Sequence, residues 1–363
     1  MRVSLFDLVN WDGGSEPTDY DAVRCAALYN ARLDEWQRAE RLGFDGVYLA
    51  EHHFGSGCLT PSPNLLVAAL AQRTTRMRIG VMVNVLPFHD PVRIAEEAAM
   101  LDLITGGRFD FGVGRGVVQG EFVRQRMSYE EARPRMEEAV ELIIQAWTAE
   151  QFEFHGKYRS VGPATLWPRP LQKPHPPVWC AAFSDDTVVW AARRGFSLGC
   201  TLMPVQGMKS RLDLYRQTAA EVGIKITPAN MLITRQVCVA ESDAEARAIS
   251  ERPFNDLFRF FIPPGEKREP SKLPEDQKYY SSFYRAFVGR TLAFGDLIDA
   301  GIFVVGSPTT VARMLAEQLR ATGAGHLLAW MNFGGLDPAM VLRSEELFAR
   351  EVLPQLRELK AGV

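Results

Sequence analysis

Short apolar runs rich in Val and Ile alternate along this chain with longer stretches whose apolar positions recur at helical spacing. RVSLFDL (2–8) reads as a strand, and the helical pattern YNARLDEWQRAERLG follows it, ending at Gly43. GVYLA (46–50) is a second strand, NLLVAALAQRT (64–74) a helix, and MRIGVMVNVL (77–86) a third strand. PVRIAEEAAMLDLIT (91–105) is a helix with Pro91 in its first turn and Gly106 after its end. FDFGVGRG (109–116) is a fourth strand that runs into glycine, and RPRMEEAVELIIQAW (133–147) is an amphipathic helix. PPVWCAAF (176–183), FSLGC (196–200), LITRQVCVA (232–240) and HLLAWMNF (326–333) complete a set of eight strands. Strands apolar on both faces, separated by helices, predict a parallel sheet. Eight β/α units favour a closed (β/α)8 TIM barrel over an open doubly wound sheet. The 363 residues suit one such barrel domain across 1–363, since the fold takes about 250 residues and more with insertions.

One stretch breaks the rhythm. FFIPPGEKREPSKLPEDQKYY (260–280) is rich in Pro, Lys and Glu. It reads as a solvated surface loop or a mobile lid over a barrel mouth, within an insertion near 245–300.

Composition removes several function classes. The net charge of −3 and the scattered basic residues point to no nucleic acid and no anionic membrane as partner. No apolar run approaches the about 20 residues of a membrane span, and the first residues lack the order of a signal peptide. Cys25, Cys58, Cys180, Cys200 and Cys238 are odd in number and far apart. They read as reduced, buried thiols of a cytoplasmic protein, and neither as a disulfide frame nor as a zinc site.

In a (β/α)8 barrel the active site lies at the C-terminal ends of the strands. Those ends carry Glu51-His52-His53-Phe54, Asn84, Gly114-Arg115-Gly116, Phe183 to Thr187, and Met331-Asn332. Arg115 stands between two glycines that let a ligand approach the backbone, and its guanidinium suits a phosphate. A tight turn with a surface arginine is the plain alternative. FSDDTVVWAARRG is a second anion-site candidate, through the start of its helix and the hydroxyls of Ser184 and Thr187. Its two aspartates argue the other way unless they point outward, and a simple N-cap explains the same residues. Adjacent side chains at a strand end point to opposite sides, so one of His52 and His53 faces the mouth while the other packs. That disfavours a shared metal, and a lone histidine at the mouth suits proton transfer. His89 falls in a loop at a helix cap.

LAEHHF, then NVLPFHDPVRIAEEAAMLDLITGGRFDFGVGRG, then PRPLQKPHPPVWCAAFSDDTVVWAARRGF resemble, in order and spacing, the bacterial luciferase-like flavin monooxygenases. The resemblance covers about residues 1–240 and resumes at VVGSPTTVARMLAEQL and SEELFAREVLPQL. It implies a (β/α)8 barrel, reduced FMN supplied by a separate flavin reductase, and O2 as co-substrate. One oxygen atom then enters a small organic substrate through a flavin hydroperoxide. By this likeness His52 takes the acid–base position, and Arg115, with Gly116 beside it, takes the flavin-phosphate position. Ser184 and Thr187 match the hydroxyls that bind the phosphate, and Arg133 a further basic residue near it. Met82 and Val83 fall where the family often has a non-proline cis peptide under the flavin ring. The family also pairs through helices beside the second and third strands, which implies a homodimer or higher homo-oligomer with NLLVAALAQ as a candidate surface. Gly114 replaces a reactive cysteine, Phe183 an acid and Val118 an aromatic of the luciferase α chain. The expectation is therefore a monooxygenase of this family and not a luciferase. Phe6, Phe54, Met203 and Trp330 would line an apolar substrate pocket.

Three other readings compete. A deazaflavin-dependent oxidoreductase of the same superfamily would transfer hydride without O2. A metal-dependent barrel hydrolase would use Glu51, His52 and His53. A non-catalytic flavin-binding protein would bind flavin without turnover.

Overall fold

Apolar alternation in the first strand already defines an inside and an outside. In β1 (Arg2–Asp7), Val3 and Leu5 pack outward against helices, while Ser4 and Phe6 point into the sheet's interior. The remaining strands are β2 (Gly46–Leu49), β3 (Arg78–Val81), β4 (Asn84–Val85), β5 (Phe109–Gly114), β6 (Phe152–His155), β7 (Ser160–Ala164), β8 (Val178–Ala181), β9 (Ser197–Cys200), β10 (Met231–Val239), β11 (Phe303–Gly306) and β12 (His326–Trp330). This computed structural model describes residues 1–261 and 294–359, apart from Asp12 and Ser15.

The parallel ring runs β1-β2-β3-β5-β8-β9-β10-β12 and closes back on β1. All eight expected strands are the eight staves of this barrel. Two features escaped the sequence pattern. β11 pairs with Gln236–Val239 of β10, because that strand has nine residues and overshoots the ring. β6 and β7 form an antiparallel hairpin between β5 and β8. The stretch 262–280 of the expected lid lies outside the described residues; it is flanked by the helices Asp243–Phe261 and Phe294–Asp299.

The helices form where their ends are chemically marked. Asp21 caps the helix Ala22–Leu42 by accepting from the Val23 and Arg24 amides, and Gly43 ends it at φ 95°. Asp90 caps Pro91–Ile104 through the Val92 amide. These helices cover the ring, and their contact with it is the main apolar core. Inside the ring Tyr48, Trp179, Leu232 and Leu328 fill the barrel, as layered side chains do in this fold. The open space is thereby pushed to the C-terminal ends of the strands. No helix among the described residues is long and apolar enough to cross a membrane. The five cysteines are buried and unpaired.

Candidate functional site

A cavity of about 1330 Å³, its open mouth included, lies at those strand ends. Of the residues expected there, His52, Met82, Val83, Arg115, Gly116, Ser184 and Thr187 all line it. Arg133, Phe54 and Met203 do not.

The phosphate-like end is built from two strand exits. β5 ends at Gly114, and the chain turns through Gly116 at φ 80°, where a Cβ would press on Val85 and Phe122. A Cβ at Gly114 would come within 2.3 Å of Val83 Cγ2, so the cysteine of the luciferase α chain has no room here unless Val83 moves. The Arg115 guanidinium rests over the Tyr129 ring at 5.4 Å, a cation–π contact that holds it in the wall. After β8, Ser184 begins the helix Asp185–Arg193 in extended conformation, but its side chain does not cap that helix. Its hydroxyl instead meets the Thr187 hydroxyl at 2.9 Å. An uncapped helix start, two hydroxyls and a guanidinium in one wall are a donor set for a dianionic phosphate. The aspartates do not spoil it. Asp185 and Asp186 are exposed, and Asp186 is bound by Arg133 at 2.9 Å. Arg133 also pairs with Glu137 at 2.8 Å. It therefore sits behind the helix start and not in the cavity wall.

The other wall is built from β2, whose exit carries Glu51-His52-His53. The two histidines diverge, as expected, although both lie just past the end of the strand. His52 lines the cavity, and its Nδ1 lies 3.1 Å from Glu121 Oε1. The same oxygen accepts the His53 amide at 2.7 Å. Glu121 is 1 % exposed, and its Oε2 has no hydrogen-bond partner. Such a carboxylate favours a proton on Nδ1, which makes Nε2 the nitrogen that can exchange one. Glu121 was not legible beforehand: it is one acid in VVQGEFVRQR, and only the fold of its short helix Gln119–Arg124 brings it to β2.

His53 turns away from the cavity. It packs against the Phe88 ring at 5.5 Å and gives its Nε2 to Glu51 Oε1 at 2.8 Å. His89 Nε2 reaches the same oxygen at 2.8 Å, while Glu51 Oε2 accepts the Val85 amide. His89 is thus part of a cluster and does not cap the helix; Asp90 does. The Met82–Val83 peptide is cis.

The apolar lining differs from expectation in part. Phe6 and Trp330 face the cavity and meet edge to face at 5.3 Å. Phe54, at φ 61°, is 59 % exposed, because the chain has already left the strand. Met203 is fully buried in the core behind β9. Leu8, Leu202, Thr201 and Thr234 take their places.

Comparison with known proteins places the chain in a family. The model of the luciferase-like monooxygenase family matches residues 3–326. The flavin-dependent trigonelline monooxygenase oxygenase component of Acinetobacter baylyi is 30% identical over 237 residues, 64% of this chain and 65% of that one. A crystal structure of a monooxygenase from Streptomyces bottropensis superposes with a TM-score of 0.82 at 26% identity, covering 98% of this chain and 99% of the other. The oxygenating constituent of 3,6-diketocamphane monooxygenase from Pseudomonas putida shares the fold, with a TM-score of 0.80 at 23% identity and coverage of 100% and 99%. The chain belongs to the luciferase-like monooxygenase family.

Proposed function

We propose that this chain is the oxygenase component of a two-component system that uses reduced FMN from a separate reductase and O2 to oxygenate a small, largely apolar organic molecule. The observation that carries this reading is a phosphate-type donor set, Arg115 with Ser184, Thr187 and an uncapped helix start, in the same cavity as the His52–Glu121 pair. Reduced FMN, when bound, supplies the electrons that activate oxygen. The chain's own residues do the rest. Arg115, Ser184 and Thr187 hold the phosphate, and Met82, Val83 and Gly116 shape the bed beside it. Phe6, Leu8 and Trp330 exclude water from the substrate. His52 takes or returns a proton at Nε2 while Glu121 steadies the charge through Nδ1. A positioned group of this kind contributes about 10²–10⁴ in rate. The similarity to a protein named as an oxygenase component supports the separate reductase. The unpaired buried thiols support a cytoplasmic setting.

The test is rapid mixing of anaerobic protein and reduced FMN with oxygenated buffer. A transient spectrum that far outlives the oxidation of free reduced flavin is expected, and Arg115→Ala should abolish it at the same flavin concentration by weakening binding. Oxidation at the free-flavin rate would discard this reading in favour of hydride transfer with a deazaflavin.

A homodimer forms in this proposal through the helices Pro63–Ala71 and Pro91–Ile104. They bury one face against the barrel yet leave Leu65, Met100, Leu103 and Ile104 exposed. Ile104→Glu should convert a dimer to monomer in light scattering; an unchanged mass would move the interface elsewhere.

A further inference from the structure

We propose that Glu51, His53 and His89 form a binding site for one divalent transition-metal ion of the Zn²⁺ type, behind the wall of the flavin-sized cavity. Glu51 Oε1, His53 Nε2 and His89 Nε2 come from two separate chain segments and lie within 4.8 Å of one another. Each imidazole nitrogen is 2.8 Å from the same carboxylate oxygen. Zinc bonds of about 2.0–2.2 Å in tetrahedral geometry place neighbouring ligand atoms a little over 3 Å apart. The two N···O separations therefore need to open by only a few tenths of an ångström, and the two imidazole nitrogens already lie within 4.8 Å of each other.

The set is also pre-organised. The Glu51 side chain is fully buried, and its second oxygen is anchored by the Val85 amide. His53 is held between the Phe88 and Phe54 rings. The His53 and His89 side chains retain 13% and 27% of their exposure, which leaves a path for an ion and its remaining waters. Two imidazoles and one carboxylate select borderline ions such as Zn²⁺ and Co²⁺ over Mg²⁺ or Ca²⁺, which prefer all-oxygen sets. Binding replaces two N–H···O contacts with metal bonds. Each neutral imidazole moves its proton from Nε2 to Nδ1, and an imidazolium releases one proton to solvent. His52 takes no part, because its Nδ1 belongs to Glu121. The adjacent histidines of the sequence thus do not share a metal; the second histidine comes from the turn after β4.

Co²⁺ titration of flavin-free, chelator-treated, untagged protein tests this without reference to turnover. One ion per chain with visible ligand-field bands is expected, displaced by Zn²⁺. His89→Ala and His89→Gln should both weaken binding by more than the about 10–100-fold that loss of an outer-sphere partner brings. Glutamine keeps an N–H for Glu51 but offers no imidazole, so it separates a metal ligand from a hydrogen-bond donor, and circular dichroism checks that both variants fold. His155→Ala removes a surface histidine paired with Glu153 and should leave binding intact. Absence of the bands, full affinity in His89→Gln, or equal loss in His155→Ala would overturn the site.

Discussion

Buried glutamates in two parts of the molecule behave in opposite ways. Glu51 lines the barrel mouth, while Glu35 and Glu345 sit outside the ring, on the helices Ala22–Leu42 and Pro338–Leu347. Burial pushes the pKa of Glu51 and of Glu35 upward. At Glu51 the donors prevail: two imidazoles and the Val85 amide hold the carboxyl below its ordinary value. At Glu35 burial prevails. Arg32 at 2.6 Å offsets part of it, but Asp7 adds negative charge, and the carboxyl is pushed up to about 7. Glu345 is raised well above its ordinary value by burial and by Glu35 beside it. Desolvation is common to both places; what differs is that Glu51 faces two imidazoles and a backbone amide, while Glu35 and Glu345 lie beside each other and Asp7. Glu51 is favoured in its charged form, and the outer pair in a protonated one.

The largest expected effect breaks the mouth cluster. His52→Ala should lower turnover by about 10²–10⁴ while flavin affinity changes little. Glu121→Gln keeps the shape and an acceptor for the His53 amide but removes the charge that steadies His52. It should cost roughly 10–100-fold in turnover, as loss of an orienting partner does. Single-turnover rates against flavin titrations decide this. Flavin affinity falling in step with turnover would make both residues part of the binding wall, not proton-handling groups.

The next effect belongs to the outer cluster. A carboxyl raised in the folded state binds more protons there than in the unfolded chain. Its stabilising contribution is complete below the unfolded value of 4.5 and is lost as pH rises through about 7. A shift of that size corresponds to about 3 kcal/mol for a fully buried group. Urea midpoints should therefore fall between about pH 5 and pH 8. Glu35→Gln should flatten that slope and leave the mouth chemistry intact. An equal slope in the variant would assign the pH dependence to Glu345 or to groups outside this cluster.

What was legible in advance divides along the same line. The ring was readable because each stave is a continuous apolar run bounded by helical periodicity; the strand-end rule then gave a wider set of candidates, from which the family resemblance singled out His52, Arg115, Ser184 and Thr187. The partners were not readable, because they are long-range. Glu121 lies 69 residues from His52, and His89 lies 38 from Glu51. Single acids in polar stretches look alike in sequence. Phe54 and Met203 were misplaced for a local reason: strand alternation fails once the chain leaves the strand, as Phe54 does at φ 61°. β11 was hidden in four residues whose only strand partner among the described residues is the overshoot of β10.

The smallest effect sharpens the contrast. Arg38 is partly exposed and lies 3.3 Å from buried Glu345, while its other nitrogen reaches exposed Glu346. Arg38 and Arg32 are the cations acting on this acid group, and Arg38 lowers the pKa of Glu345. Arg38→Met keeps the aliphatic packing and removes the charge. At about pH 5 the raised carboxyls favour their protonated forms, so the change should cost less than about 0.5 kcal/mol, as at an ordinary surface site. At about pH 8 Glu345 must either ionise without its nearest cation or keep its proton, and the cost should rise to about 1–2 kcal/mol. The pH-dependent difference between the two midpoints is thus the signal, and it should shrink in the Glu35→Gln background, where the like-charge neighbour is gone but burial still holds Glu345 up. An Arg38→Met cost that is equal at both pH values would mean that Arg38 acts through packing alone, and the proton-sharing account of the outer cluster would then rest on Glu35 and Arg32.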